Sequence, residues 1–132
     1  MTIVADASVV VAALVDSGPD GRWAEQQLTS GVLAGPHLLP AEVANVLRRA
    51  AGAQEITEDT ASLAHADLLD LRLELFSYEI FAPRIWELRH NLTAYDAWYV
   101  AVAELLEAPL ATLDGRLASA PGPRCEIRTI GA

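Results

Sequence analysis

Four carboxylates stand out by position. Asp6 closes the apolar run Ile3-Val4-Ala5, and Asp114 closes a second run in Ala111-Thr112-Leu113-Asp114-Gly115. In an open parallel sheet the ligand crevice lies beyond the carboxyl ends of the strands, so acids ending two neighbouring strands point into one crevice. Each also reads as a helix cap, and Asp114 as a turn residue before glycine. Asp96 sits early in the helical segment Ala94-Tyr95-Asp96-Ala97-Trp98-Tyr99-Val100, where helical spacing gives it Tyr99, Val100 and Ala103 as neighbours. That places a charge on the buried stripe, which is costly unless the charge is paired or bound to metal. The other reading is a first-turn acid favoured by the helix dipole. Glu42 lies in the first turn of a helix opened by Pro40, with Asn45 and Arg49 on its face and Val43, Leu47 and Ala50 on the neighbouring core face. It also reads as an ordinary helix-start glutamate.

Carboxylates brought together repel, and one of them is driven to take up a proton unless a cation intervenes. All-oxygen donors select Mg²⁺ or Mn²⁺. Zinc is disfavoured, because Cys125 is alone and His37, His65 and His90 are scattered. Most of the remaining acids, among them Glu25, Glu58, Asp67, Glu74, Glu87, Glu104 and Glu107, read as residues on solvated faces or in helix first turns.

The acids need a scaffold, and the chain alternates strands with helices. Strands are expected at Ile3–Ala5, Val32–Ala34, Leu73–Ser77, Leu110–Leu113 and Glu126–Ile130. Helices are expected over Ala7–Leu14, Arg22–Thr29, Pro40–Ala51, a segment capped by Thr57 and running to about Leu71, Pro83–His90, a stretch from Thr93 or Ala94 to Glu107, and Gly115–Ser119. Ser17-Gly18-Pro19-Asp20-Gly21 reads as a turn. Ala120–Pro123 and the last two residues read as loose. The pattern predicts an α/β fold, a single domain over 1–132 with a parallel central sheet of four to five strands flanked by helices.

Composition narrows the function. The chain has 132 residues, a net charge of −9, nine Arg and no Lys. Without Lys there is no P-loop, and receiver domains and haloacid-dehalogenase-type phosphatases, which set a Lys against the phosphoryl group, drop out. The apolar runs are too short to span a bilayer, the start lacks a basic n-region, and the lone cysteine allows no disulfide framework. A soluble cytoplasmic protein is expected, with no membrane partner. The acidity opposes the basic footprint usual in nucleic-acid binding. Bound metal reverses the charge of an acidic pocket locally, so phosphate substrates stay compatible with it.

In sequence order, Val4-Ala5-Asp6-Ala7-Ser8, Leu39-Pro40-Ala41-Glu42-Val43-Ala44-Asn45-Val46-Leu47, Leu92–Ala101 and Leu110-Ala111-Thr112-Leu113-Asp114-Gly115-Arg116-Leu117 resemble the motif set of PIN-domain ribonucleases of the VapC toxin type. The resemblance covers essentially the whole chain. It implies an Mg²⁺-dependent endoribonuclease with Asp6 and Asp96 as main metal ligands, Asp114 as a further ligand and Glu42 as a metal-site or water-positioning acid. It implies that Asn45, Thr112 and Ser8 support them. Gly115, Arg116 and Leu117 stand where many such proteins carry another acid, which leaves one metal ion or two open. Arg48, Arg49, Arg89 and Arg116 lie near the motifs as candidate RNA contacts, or else as solvated or ion-paired arginines. A small cognate antitoxin is an implied partner, with a homodimer and a larger toxin–antitoxin assembly. Trp23, Phe81 and Trp86 serve either such interfaces or the core. The rival readings are a catalytically inert binding module on the same fold and a metal-dependent DNA nuclease or phosphotransferase.

Overall fold

Ile3, Val4 and Ala5 are fully buried, as a strand covered on both faces requires. They belong to β1 (Thr2–Ala5), the central strand of the computed structural model, which describes residues 1–131. In chain order the elements are β1, α1 (Ala7–Val15), α2 (Pro19–Leu28), β2 (Val32–Pro36), α3 (Leu39–Gly52), α4 (Glu58–Asp70), β3 (Leu73–Phe76), α5 (Ala82–Glu87), α6 (Ala94–Leu106), β4 (Leu110–Ala111), α7 (Gly115–Ser119) and β5 (Ile127–Arg128). The five strands pair in parallel in the order β3-β2-β1-β4-β5. The expected α/β class and parallel sheet are both present.

The chain moves outward from β1 through β2 to β3, then returns to the other side of β1 for β4 and β5. Right-handed crossovers place the connections of the two halves on opposite faces. Packing follows this division: α1 contacts α2, α3 and α4, while α5 packs on α6. Helix α6 runs across β1, β2 and β4, and Ala97 and Tyr99–Ala103 along it are all buried. A helix apolar nearly all round belongs inside a layer. Burial of each large aliphatic side chain contributes roughly 1.5–3 kcal/mol, and Ile3, Val4, Val9, Val10, Val43, Val100 and Leu110 form one continuous core.

Several boundaries differ from the sequence expectation. The Ser17–Gly21 turn is in fact the start of α2, with Pro19 in its first turn and Gly21 buried inside. A Cβ on Gly21 would lie 1.7 Å from the carbonyl oxygen of Asp16. The glycine is therefore there for the close approach of α2 to the end of α1, not to break the chain. β2 runs on through Gly35 and Pro36, and Gly35 leaves room for Leu39 and Tyr99 to close over the strand. α5 stops at Glu87, short of His90. The last strand shrinks to Ile127–Arg128, and β4 to Leu110–Ala111, although the Thr112 N–H still donates to Arg128 O at 3.0 Å. The 120–123 turn is pinned rather than loose: Arg84 donates to Gly122 O at 2.9 Å. Of the two end residues expected to be loose, Ala132 lies outside the described residues. Glu104 is no solvated acid, since Arg84 grips it with two bonds of 2.8 and 3.0 Å and the Arg124 N–H adds a third at 2.7 Å. Burial alone would raise this carboxyl, but those bonds outweigh it and hold its pKa below the ordinary value. Phe81 is a core residue and Trp23 packs against the core, while Trp86 is 64% exposed.

Candidate active site

The order reverses between β1 and β4, so the crevice at their carboxyl ends is the switch point of the sheet. Asp6 follows β1 directly and caps α1, accepting the Val9 N–H at 3.3 Å. It is both a cap and a crevice acid. Its two oxygens are held from α1 and from the end of β4. Ser8 Oγ donates to Oδ1, and Thr112 Oγ1 donates to Oδ2. Each hydroxyl in turn accepts a backbone N–H, Ser8 from Leu113 at 3.1 Å and Thr112 from Asp114 at 2.9 Å. A hydroxyl has one proton to give. With the backbone donating into each oxygen, both protons must point at Asp6, which is thereby treated as a carboxylate acceptor. Burial pushes the Asp6 pKa up, and these hydrogen bonds oppose the rise without cancelling it.

Asp114 caps α7, accepting the Arg116 N–H at 2.9 Å, so its cap reading is also realised. Asp96 is third in α6, behind the Thr93 cap, whose Oγ1 accepts its N–H at 3.1 Å. Burial raises the Asp96 pKa, and the charges of Asp114 and Asp6 raise it further. Glu42 enters from α3. Burial raises its pKa as well, with added repulsion from Asp96 and Asp6. Four acids from four separate segments therefore share one electrostatic neighbourhood. Among the described residues Arg116 is the cation whose charge lowers Asp96, against the repulsion from Asp114 and Asp6.

Tyr99 is the partner the sequence reading missed. Its hydroxyl donates to Glu42 Oε1 at 2.6 Å, from a side chain only 1% exposed. Burial and the neighbouring carboxylate push its pKa far up, so it remains a donor. The usable signal was the helical offset of three from Asp96, which marked Tyr99 as sharing that face. Periodicity cannot show that the facing element carries Glu42.

The supporting residues divide. Ser8 and Thr112 hold Asp6, whereas Asn45 is exposed and its Oδ1 is taken by Arg48. Arg49 is exposed on α3. Arg89 stacks over the Trp86 ring at 4.6 Å and donates to Trp86 O. Arg116, with a side chain 93% exposed, leans on Asp114 at 3.6 Å.

Among the described residues no three Asp, Glu, His or Cys side chains make a ready-formed metal cage. The donor set nevertheless fits a hard divalent cation. It is all carboxylate and hydroxyl oxygen, half to mostly buried, and the charges of neighbouring carboxylates disfavour ionisation of Glu42 and Asp96.

The family model for the PIN domain matches residues 3–123. The chain belongs to the PIN domain family. This PIN domain is 43% identical over 131 residues to Ribonuclease VapC1 of Mycobacterium tuberculosis, covering 96% of each chain. Among solved structures, its fold is similar to VapC20 of Mycobacterium tuberculosis, described as a Sarcin-Ricin loop cleaving toxin. The TM-score is 0.66 at 19% identity, covering 89% of this chain and 93% of that one. It is also similar to VapBC2 of Rickettsia felis bound to a DNA fragment from its promoter, with a TM-score of 0.64 at 14% identity over 98% of each chain. No helix of this PIN domain is long and apolar enough to cross a membrane.

Proposed function

We propose that residues 1–132 form one nuclease unit, a divalent-metal-dependent endoribonuclease acting as the toxin of a VapBC-type pair. The observation that carries this reading is the convergence of Asp6, Glu42, Asp96 and Asp114 at the β1–β4 switch point, in a chain 43% identical to a protein named a ribonuclease. Asp6, Asp96 and Asp114 would hold Mg²⁺ or Mn²⁺, with Glu42 at the same site. When bound, such an ion polarises the phosphate and lowers the pKa of an attacking water.

The chain's own residues do the rest. Ser8 and Thr112 fix the Asp6 carboxylate in one orientation by two donated protons. Tyr99 occupies Glu42 Oε1, which leaves Oε2 to orient water and accept its proton. The raised Glu42 pKa makes it a better base than an ordinary glutamate. Arg116, with a side chain 93% exposed beside Asp114, meets substrate phosphate, and Arg48, Arg49 and Arg89 are further candidate contacts to RNA away from the acids themselves. An acidic pocket of this kind suits the cationic tail of an antitoxin as its inhibitor. A homodimer, assembly with the antitoxin and a cytoplasmic setting complete the proposal.

The test is cleavage of total cellular RNA in Mg²⁺ and in Mn²⁺ by the wild type, Asp6→Ala and Asp96→Ala, each variant shown folded by circular dichroism. Discrete cuts by the wild type alone support the proposal. Equal inactivity of all three, with any bound antitoxin removed, overturns it in favour of an inert binding module. Cleavage of single- or double-stranded DNA in preference to RNA overturns it in favour of a DNA nuclease.

A further inference from the structure

Beside the acids lies a second feature that the hydrolytic chemistry does not use. A shallow cavity of about 270 Å³ is lined by Leu38, Ala41, Glu42, Asn45 and Tyr95. That is just below the roughly 300–1,000 Å³ of sites for drug-sized ligands, and suits one ring system. Its wall is shared with the hydrolytic site through Glu42. Tyr95 directly precedes Asp96 in α6, yet its ring is 60% exposed. An aromatic ring left in solvent next to a catalytic acid offers a stacking face to whatever lies across that acid.

The polar end of the cavity has a fixed sense. Arg48 donates from both Nε and Nη2 to Asn45 Oδ1, at 3.1 and 3.0 Å. Guanidinium can only donate, so the amide oxygen must face Arg48 and the amide NH₂ must be the free end. The cavity thus combines an apolar floor of Leu38 and Ala41, an exposed aromatic face and an amide donor, with a guanidinium held beside it.

We infer that this cavity is a nucleobase subsite, in which Tyr95 stacks on an unpaired base next to the scissile phosphate. The inference rests on the ribonuclease reading and names which part of the RNA the chain grips. Asn45 Nδ2 donates to an acceptor on the edge of that base, and Arg48 lies within reach of its phosphate. Stacking on aromatic side chains and edge hydrogen bonds are how single-stranded RNA is read. A protein of net charge −9 gains little from non-specific attraction to a polyanion, so base stacking supplies affinity that charge does not. The subsite requires a splayed-out base, so loops and single strands are cut and continuous duplex is not.

The test uses a short RNA spanning a cut site found in total RNA, with each nucleotide around the scissile phosphate replaced in turn by an abasic one. Wild type is expected to lose roughly 5- to 150-fold in kcat/KM at one position, the span that corresponds to stacking of one base. Tyr95→Ala is expected to show the same loss on the intact RNA and no further loss on that abasic RNA, while Tyr95→Phe stays near wild type. If the variant and abasic losses multiply, the subsite is refuted and the ribonuclease reading stands. If Tyr95→Ala cuts intact RNA normally but its sedimentation mass changes, the ring belongs to a protein interface and the subsite is again refuted. If wild type cuts no RNA, both readings fall together.

Discussion

Replacing Thr112 by Val tests the frame around Asp6 directly. Thr112 is fully buried, and its hydroxyl links Asp6 to Asp114. It donates to Asp6 Oδ2 and accepts the Asp114 N–H at 2.9 Å. Valine keeps the shape and removes both bonds. Loss of a hydrogen bond to a charged group costs about 1.5–3 kcal/mol, and the stranded Asp114 N–H adds about 1 kcal/mol. The total is roughly 2.5–4 kcal/mol, and a chain of 132 residues unfolds with about 3–4 °C of midpoint shift per kcal/mol. The midpoint should therefore fall by roughly 8–16 °C at neutral pH, measured by thermal denaturation in EDTA. Thr112→Ser should recover most of the loss.

The pH dependence of that deficit carries its own sign. The folded pKa of Asp6 lies above its ordinary 3.8. In the metal-free chain, the stability associated with this group is therefore complete below that value and is lost as pH rises through the folded pKa. Thr112→Val removes a bond made to the charged form, so the folded pKa climbs further. The deficit is then largest at neutral pH and shrinks on acidification towards the ordinary carboxylate range. A deficit under about 1 kcal/mol, or one independent of pH, would refute the hydroxyl relay as the element that holds Asp6.

Three further outcomes follow from other parts of the structure. Asp96→Asn removes a half-buried charge that faces Asp6 and Asp114, so the metal-free chain should melt a few degrees higher at pH 7, by roughly 0.5–1 kcal/mol after allowing for solvent screening, while RNA cleavage is lost. That gain should vanish at acid pH, where the native carboxyl is already neutral. Tyr99→Phe strips Glu42 of its 2.6 Å donor and should lower kcat by about 10- to 100-fold, in line with other supporting groups of metal sites. The acidic limb of its pH–rate profile should move upward, because burial of Glu42 is then less opposed. Gly21→Ala drives a methyl into the Asp16 carbonyl and should cost about 3 kcal/mol in urea denaturation, with the RNA cut sites unchanged.

Periodicity determined the order of elements and the parallel sheet, because an apolar strand between helical stripes has few stable partners other than a buried parallel neighbour. Four acids also stood out by position. Asp6 and Asp114 follow apolar runs, where each could equally be a helix cap and in the fold is one. Asp96 sits on an apolar helical stripe where a charge is costly, and Glu42 lies in the first turn of a helix. Local signals failed where the cause lay elsewhere in space. Gly21 reads as a turn residue in sequence, but it lies inside α2, and it is glycine because the Asp16 carbonyl passes within 1.7 Å of where a Cβ would be. Glu104 reads as a solvated helix acid, yet Arg84, twenty residues away, converts it into a clamp on the 120–124 turn. Tyr99 and Glu42 are separated by fifty-seven residues, and nothing within a turn of either one names the other. The sequence by itself therefore determined which groups are costly to bury and which elements carry them. Only the tertiary structure decided who meets them at the switch point, because strand order and helix crossing, rather than local propensity, bring Ser8, Thr112 and Tyr99 within hydrogen-bond reach of the acids.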